Sequence, residues 1–379
     1  MRVSGRAVRR LSGSVPDDSR PELFPTAQPL DRPSALPVLD SRLRGTIYYE
    51  QPARSVINAP ESTGMGFWSL NPYVGCEFGC TYCYARYSHR YAVERAGDTG
   101  RLDPKAMDPF KGAEWKSFEH RIFVKRRDDV LAALERDLAG FRRRHESSGV
   151  EILVIGTSTD PYQPAERRFG VTRAVLERLA RERGFSIGII TKSPLITRDI
   201  PLLREIQNRH DLQVHISLIS TDVRLIKLFE ARSPMPHARL RALDRLNSAG
   251  VNAGVIVAPV LPGITDTEPC LDALLAATRK AGGKFAHYGP LRLYAAVRAV
   301  FLPVVDEHFP TLARRYRAAY SDAGFVPETY RKALSARFHR LAAKHGIMVD
   351  HSLRDEAPNA ILRTPAREQL ALFPPATSR

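Results

Sequence analysis

Cysteine is scarce in this chain. Only four are present among 379 residues, and three of those fall within one eight-residue window from Cys76 to Cys83. That distribution excludes an extracellular disulfide framework, and in a reducing compartment such clustering points to metal or redox chemistry. Long hydrophobic runs are missing as well: no stretch reaches the roughly 18 unbroken apolar residues of a membrane helix, so no membrane partner is expected. The first ten residues are basic but lead into Leu11-Ser12-Gly13-Ser14 and the acids Asp17 and Asp18 without an apolar core segment, which predicts a cytoplasmic protein rather than a secreted one. Acid is in deficit. Lysine and arginine number 57 against 41 aspartates and glutamates, a net charge of +16. A surplus of that size favours a polyanionic partner, most commonly nucleic acid, because each neutralised phosphate releases a counterion; a merely arginine-rich composition is the bland alternative. No G-x-G-x-x-G follows the first predicted strand, which argues against a dinucleotide-binding sheet.

What is present is a globular composition, 43% hydrophobic and 26% charged, in a length that suits one α/β barrel with extensions. Residues 1–45 are rich in proline, arginine and serine without an apolar period and read as a flexible arm. From Phe67 onward short apolar runs alternate with helical periodicity. Strands are predicted over 67–74, 121–125, 151–157, 186–191, 212–220 and 251–260, and helices over 128–144, 172–183, 195–208, 237–248 and 267–280. Runs such as Ile152-Leu153-Val154-Ile155 suit strands buried on both faces of a parallel sheet with right-handed crossovers. Such a series either opens into a doubly wound sheet or curls into a full or partial barrel, and in a barrel the functional residues gather at the strand C-termini.

The strongest local signal is Cys76-Glu77-Phe78-Gly79-Cys80-Thr81-Tyr82-Cys83, a C-x3-C-x2-C run. Three thiolates this close can reach adjacent corners of one iron-sulfur cube from a single loop, whereas structural zinc commonly wants two separated ligand pairs. The fourth iron then lacks a protein ligand and is open to a small chelating molecule, for which the amino and carboxylate groups of S-adenosylmethionine are the candidate. Two other readings stand beside it: a Cys3His zinc site completed by His89, and structural cysteines without metal.

With Asn71-Pro72-Tyr73-Val74-Gly75 before the run and Tyr84-Ala85-Arg86 after it, the chain resembles the radical S-adenosylmethionine superfamily, and within it the spore photoproduct lyase-related, DNA repair photolyase-like branch. The likeness continues through Gly156 to Glu166, Thr191-Lys192-Ser193 with Arg198-Asp199, and Phe229-Glu230-Ala231-Arg232 with Arg239-Leu240, roughly Arg44 to Tyr330. It implies a partial (β/α)6 TIM-type barrel over residues 46–290, followed by a basic helical extension over 291–350 and a tail over 351–379. It further implies a 4Fe-4S cluster on Cys76, Cys80 and Cys83, a reductant such as flavodoxin or ferredoxin, and a 5′-deoxyadenosyl radical that abstracts hydrogen, the cofactor supplying the chemistry and the protein its placement. Tyr82 is expected to help seat the adenine, and Lys125, Thr157, Ser158, Asp160, Lys192 and Ser217 to surround the ribose and methionine portions. Lys125 is equally a surface lysine; Glu230 and Arg232 are expected to form a structural pair. One departure matters: spore photoproduct lyase proper carries a further cysteine as hydrogen donor downstream of the cluster motif, whereas none lies between Tyr84 and Pro269 here. Cys270 reads as a small buried residue, so thymine-dimer reversal is not the expected reaction. Tyr73, Tyr82, Tyr84 and Tyr162 are either radical-relay phenols or ordinary packing groups.

A second motif closes the chain. Gln369-Leu370-Ala371-Leu372-Phe373 resembles the pentapeptide by which bacterial DNA enzymes dock on the replication sliding clamp, with Gln369 as hydrogen-bonding anchor and Leu370, Leu372 and Phe373 as the apolar part. The alternative is a last helical turn tucked against the body. Basic stretches at Arg142-Arg143-Arg144, Arg314-Arg315-Tyr316-Arg317 and Arg331 to Arg340 with Phe338 interleaved suit a phosphate track with stacking rings, or else solvated helix faces. The expected function is a radical S-adenosylmethionine enzyme acting on nucleic acid, DNA in a repair setting first; RNA or protein modification, and a non-enzymatic metal-containing clamp- or DNA-binding module, are the rivals.

Overall fold

The computed structural model describes residues 38–41, 45–63, 65–86, 89, 117–148, 152–320 and 324–353. Most of the predicted N-terminal arm and the pentapeptide Gln369 to Phe373 lie outside them. The described strands are β1 (Val38–Ser41), β2 (Ile47–Gln51), β3 (Ile57–Asn58), β4 (Trp68–Leu70), β5 (Tyr73–Val74), β6 (Arg121–Lys125), β7 (Ile152–Ile155), β8 (Ser186–Thr191), β9 (Asp211–Ser217), β10 (Ala253–Val260), β11 (Phe285–Pro290) and β12 (Met348–Val349). The helices are α1 (Pro60–Thr63), α2 (Arg127–Ser148), α3 (Pro164–Phe169), α4 (Val171–Leu179), α5 (Ile200–Gln207), α6 (Val223–Phe229), α7 (Pro236–Ser248), α8 (Glu268–Lys280), α9 (Ala295–His308), α10 (Pro310–Ala319) and α11 (Glu328–Lys344).

Eight strands form one sheet in the order β12-β11-β10-β9-β8-β7-β4-β3. From β4 to β12 every neighbouring pair is parallel, and only β3 runs antiparallel, against β4. This is the α/β parallel arrangement that the alternating pattern predicts. Leu153, Val154 and Ile155 of β7 and Val255 and Val257 of β10 have no exposed surface, as strands covered on both faces require. On α2 the residues Val130, Ala133, Leu134, Leu138 and Phe141 are equally buried; their spacing of three and four residues places them on one stripe.

Two predicted strands come out differently. Residues 121–125 form β6, which belongs to a separate four-stranded sheet ordered β1-β2-β6-β5 and not to the barrel. Its buried apolar residues satisfy the strand pattern, but a pattern does not say which sheet the strand joins. The predicted strand over 67–74 is two strands, β4 and β5, in different sheets. The break falls at Asn71-Pro72, where Pro72 has no N–H to donate to a ladder. The sixth barrel strand is instead β11, whose sequence Phe285-Ala286-His287-Tyr288-Gly289-Pro290 mixes polar, glycine and proline residues and so carries no apolar run to detect.

The expected helical extension is present as α9, α10 and α11. A second apolar cluster joins Phe78, Cys80 and Tyr82 to Phe229, Phe301 and Tyr316, so the end of α6 and the helices α9 and α10 pack against the cysteine loop. Among the described residues no helix is long and apolar enough to cross a membrane.

Candidate active site

The cysteine loop leaves β5 at Gly75, which sits at φ +83; a Cβ there would lie 2.8 Å from the Arg121 carbonyl oxygen and 2.9 Å from that of Phe118. Only glycine fits both the left-handed backbone and the space. The loop is then fixed by backbone bonds, Cys76 N–H to Phe118 O at 3.1 Å and Thr81 N–H to Phe229 O at 3.0 Å. Arg86, 1% exposed, donates to the carbonyls of Gly79 and Cys80 at 3.1 and 3.0 Å and to Glu119 at 3.0 Å. Opposite lies the turn after β7. Thr159 Oγ1 and Gln163 Nε2 donate to Gly75 O at 2.6 and 3.2 Å, and Gln163 Oε1 accepts from Glu77 N–H at 2.9 Å.

Cys76, Cys80 and Cys83 line one cavity of about 230 Å³, together with Tyr82, Thr157, Ser158, Asp160, Lys192 and Ser217. Nine of the ten residues named from sequence as cluster or cofactor contacts therefore meet in one place. Lys125 does not: it ends β6 in the other sheet, and burial lowers its pKa to about 8 against the pull of Asp137. Its charge faces that of Asp137 on α2 instead.

Several polar groups in and around the cavity have defined partners. Asn71 Nδ2 donates to Thr157 Oγ1 at 3.0 Å and Asn71 Oδ1 accepts from Ser158 N–H at 2.8 Å. The Asp160 carboxylate accepts from Tyr162 N–H at 2.9 Å, Thr191 Oγ1 at 2.7 Å and Lys192 N–H at 2.7 Å, so it ties β7 to β8 and holds Lys192. Lys192 Nζ donates to Ser217 Oγ at 3.1 Å and stands 5.7 Å from the Tyr82 ring centroid. Tyr82 donates its hydroxyl to Glu230, and fully buried Glu230 also pairs with fully buried Arg239. That corrects the expected Glu230–Arg232 pair, since Arg232 instead donates to the Glu119 carbonyl at 3.1 Å. Of the four tyrosines, Tyr82 and Tyr84 line the cavity; Tyr73 is held away from it by a 2.5 Å bond to Glu166. Cys270 is half-buried, with its sulfur 3.5 Å from Ser220 Oγ, and does not line the cavity.

The donor set fits a cationic cluster. Burial pushes the Cys76 thiol well above its ordinary range, Cys80 up to about 12, and Cys83 upward. Thiols so desolvated ionise when a positive centre replaces the lost water. Among the described residues no three His, Cys, Asp or Glu side chains converge tightly enough for a single metal ion. The Cys3His zinc alternative fails on His89: Nε2 lies 2.7 Å from the Arg121 carbonyl oxygen and Nδ1 3.4 Å from Ser117 Oγ, and burial lowers its pKa to about 4. Both ring nitrogens are engaged behind the loop. Sequence reasoning missed the far wall of the cavity, which includes Met65, Phe67, Pro259, His287 and Arg292. Recognising β11 by its Gly289-Pro290 ending ahead of α9 would have flagged the last two.

A parallel sheet whose C-terminal ends meet a loop of three thiols defines an α/β enzyme of the partial-barrel class with a cofactor cavity at its mouth. Residues 70–273 match the radical SAM superfamily, and the chain belongs to it. The protein is a radical SAM enzyme. An uncharacterized protein of Mycobacterium tuberculosis is 32% identical over 309 residues, 81% of this chain and 83% of the relative. An uncharacterized protein of Methanocaldococcus jannaschii is 23% identical over 245 residues, 62% of this chain and 80% of the relative. Among solved structures, spore photoproduct lyase complexed with dinucleoside spore photoproduct is similar at TM-score 0.55 and 14% identity, covering 80% of this chain and 82% of that one. A mutant of that lyase with bound AdoMet and dinucleoside spore photoproduct gives TM-score 0.51 and 16% identity, over 75% and 76%. These likenesses establish the partial-barrel fold.

Proposed function

We propose that this enzyme carries a 4Fe-4S cluster on Cys76, Cys80 and Cys83, binds S-adenosylmethionine beside it, and abstracts hydrogen from a nucleic-acid substrate, DNA in a repair setting. The observation that carries the reading is the convergence of two buried thiols, the half-buried Cys83 and the strand-end groups on one cavity while both ring nitrogens of His89 are engaged elsewhere. When bound, the cluster and S-adenosylmethionine supply one-electron cleavage of a sulfonium to methionine and a 5′-deoxyadenosyl radical. The chain's own groups hold and orient. Lys192 offers an ammonium for a carboxylate; burial works against that charge, but Cys80 and Glu230 keep its pKa above the usual lysine range. Thr157, Ser158 and Ser217 present hydroxyls to a ribose or amino acid, and Tyr82, fixed by Glu230, presents its ring. Asp160 positions Lys192 through the backbone.

The nucleic-acid part rests on the +16 charge and on the dinucleoside bound by the structurally similar lyase. A flavodoxin- or ferredoxin-type reductant supplies the electron, and Gln369, Leu370, Leu372 and Phe373 dock on the sliding clamp. Product analysis tests the core of this. The anaerobically reconstituted, dithionite-reduced protein should release 5′-deoxyadenosine, faster with DNA than with RNA; an iron-loaded preparation that releases none would overturn the reading.

A further inference from the structure

A second cavity, of about 380 Å³, adjoins the first and shares His287 and Pro290 with it. It lies between the end of β11, the start of α11 and the residues after β12, with Tyr288, Arg331, Lys332 and His351 in its lining. The Tyr288 ring is stacked on buried Phe338 at 4.3 Å, which makes that wall rigid. The cations of α11 fall into two groups. Arg337, Arg340 and Lys344 run to Asp266, Glu268 and Asp272 and staple α11 to α8 and the loop before it. Lys332 is exposed and has no carboxylate partner among the described residues. Arg331 has only Glu328 in its own helix, and its buried Nε has no hydrogen-bond acceptor among the described residues. Both carboxylates in the lining are already engaged, Glu328 by Arg331 and Asp350 by Ser352 N–H at 3.0 Å and Ser352 Oγ at 2.9 Å.

We infer that this cavity is a phosphate-binding subsite for a single strand whose reacting nucleotide lies in the cysteine cavity next to it; the inference rests on the nucleic-acid reading above. The exposed Lys332 ammonium, without a carboxylate among the described residues and set beside the Arg331 guanidinium in the lining, makes charge-assisted bonds to phosphate oxygens. The shared wall at His287 and Pro290 makes the two cavities neighbours, so that one strand can run from one into the other. Helix α11 thus does two jobs, and the pairing of its cations separates them.

Fluorescence anisotropy of the full chain with a labelled single strand of about 12 nucleotides, as DNA and as RNA over a range of salt, tests this. Lys332→Ala should weaken binding by about threefold or more and shrink the salt slope by roughly 0.7, the share of one phosphate contact on a single strand. Lys332→Glu should weaken it further, while Lys280→Ala, an exposed cation at the end of α8, should change neither quantity. S-adenosylmethionine binding by equilibrium dialysis should survive all three, showing that the fold is intact. Wild-type affinity and slope in both Lys332 variants would remove the subsite and leave the nucleic-acid reading standing. A wild-type chain that binds neither strand at low salt removes both.

Discussion

Two buried charges behind Tyr82 show how much of this site is support. Glu230 and Arg239 have no exposed side-chain surface, and the desolvation of each is offset by the other; burial would raise the Glu230 pKa, but Arg239 and Lys192 bring it below the usual carboxylate range. Removing one partner should therefore cost far more than removing both. Arg239→Met is expected to destabilise by about 3–5 kcal/mol in denaturant unfolding, and the Arg239→Met, Glu230→Leu double variant to recover a large part of it. A single-variant loss below about 1 kcal/mol, the scale of an exposed pair, would contradict the account. His215 contributes to the pH dependence of stability, alongside His89. His215 is fully buried, neither ring nitrogen is hydrogen-bonded among the described residues, and burial lowers its pKa from 6.5 to about 3, with Asp350 opposing and His287 assisting. Above pH 6.5 both states are neutral. Below that the unfolded chain takes up the proton first, so stability falls as the pH drops toward 3 and levels off once the folded state also protonates. His215→Met should flatten that slope in unfolding curves; an unchanged slope would mean that other groups carry it.

The cysteine loop depends on Gly75 and three neighbouring segments, around Phe118, at Phe229 and at the turn from Thr159 to Gln163. Gly75→Ala would drive a Cβ into the carbonyls of Phe118 and Arg121 in a backbone region that costs about 1 kcal/mol or more for L residues. We expect that variant to keep its far-ultraviolet circular dichroism but to take up less than half the wild-type iron on reconstitution; full iron content would show that the loop tolerates the shift. At this scale the sequence was most legible where one period governs an element. Strands β7, β8, β9 and β10 were readable because they are covered on both faces, and the thiol triplet because ligand spacing is local. What was not legible depended on long-range pairing. Residues 121–125 have a strand's pattern whichever sheet receives them, so the pattern alone leaves Lys125 open between a cofactor contact and a surface lysine. Phe338 looked like a stacking ring among arginines, yet it is fully buried against Tyr288. Which of the arginines around it staple α11 to α8 and the loop before it depends on long-range packing that no local pattern carries. Tyr316, likewise flanked by arginines, is buried and donates to the Pro262 carbonyl at 2.7 Å, which leaves Arg314 and Arg315 exposed on α10.

For the whole molecule, the separate parts converge at one end of the sheet. The strand C-termini, the cysteine loop, the second cavity and the helices that cover them are assembled by a parallel sheet whose last two partners, β11 and β12, arrive late in the chain. A C-terminal truncation after residue 290 would remove α9, α10 and α11 from the apolar cluster around Phe78 and Tyr82 and is expected to give insoluble protein. Everything else follows from the three thiols, and electron paramagnetic resonance of the anaerobically reconstituted, reduced enzyme is the decisive measurement on them. A reduced 4Fe-4S cluster should give a signal that changes when S-adenosylmethionine is added and that disappears when Cys76, Cys80 and Cys83 are all replaced by alanine. A reconstituted protein that stays silent and holds zinc in place of iron, or a signal indifferent to those replacements, would contradict it.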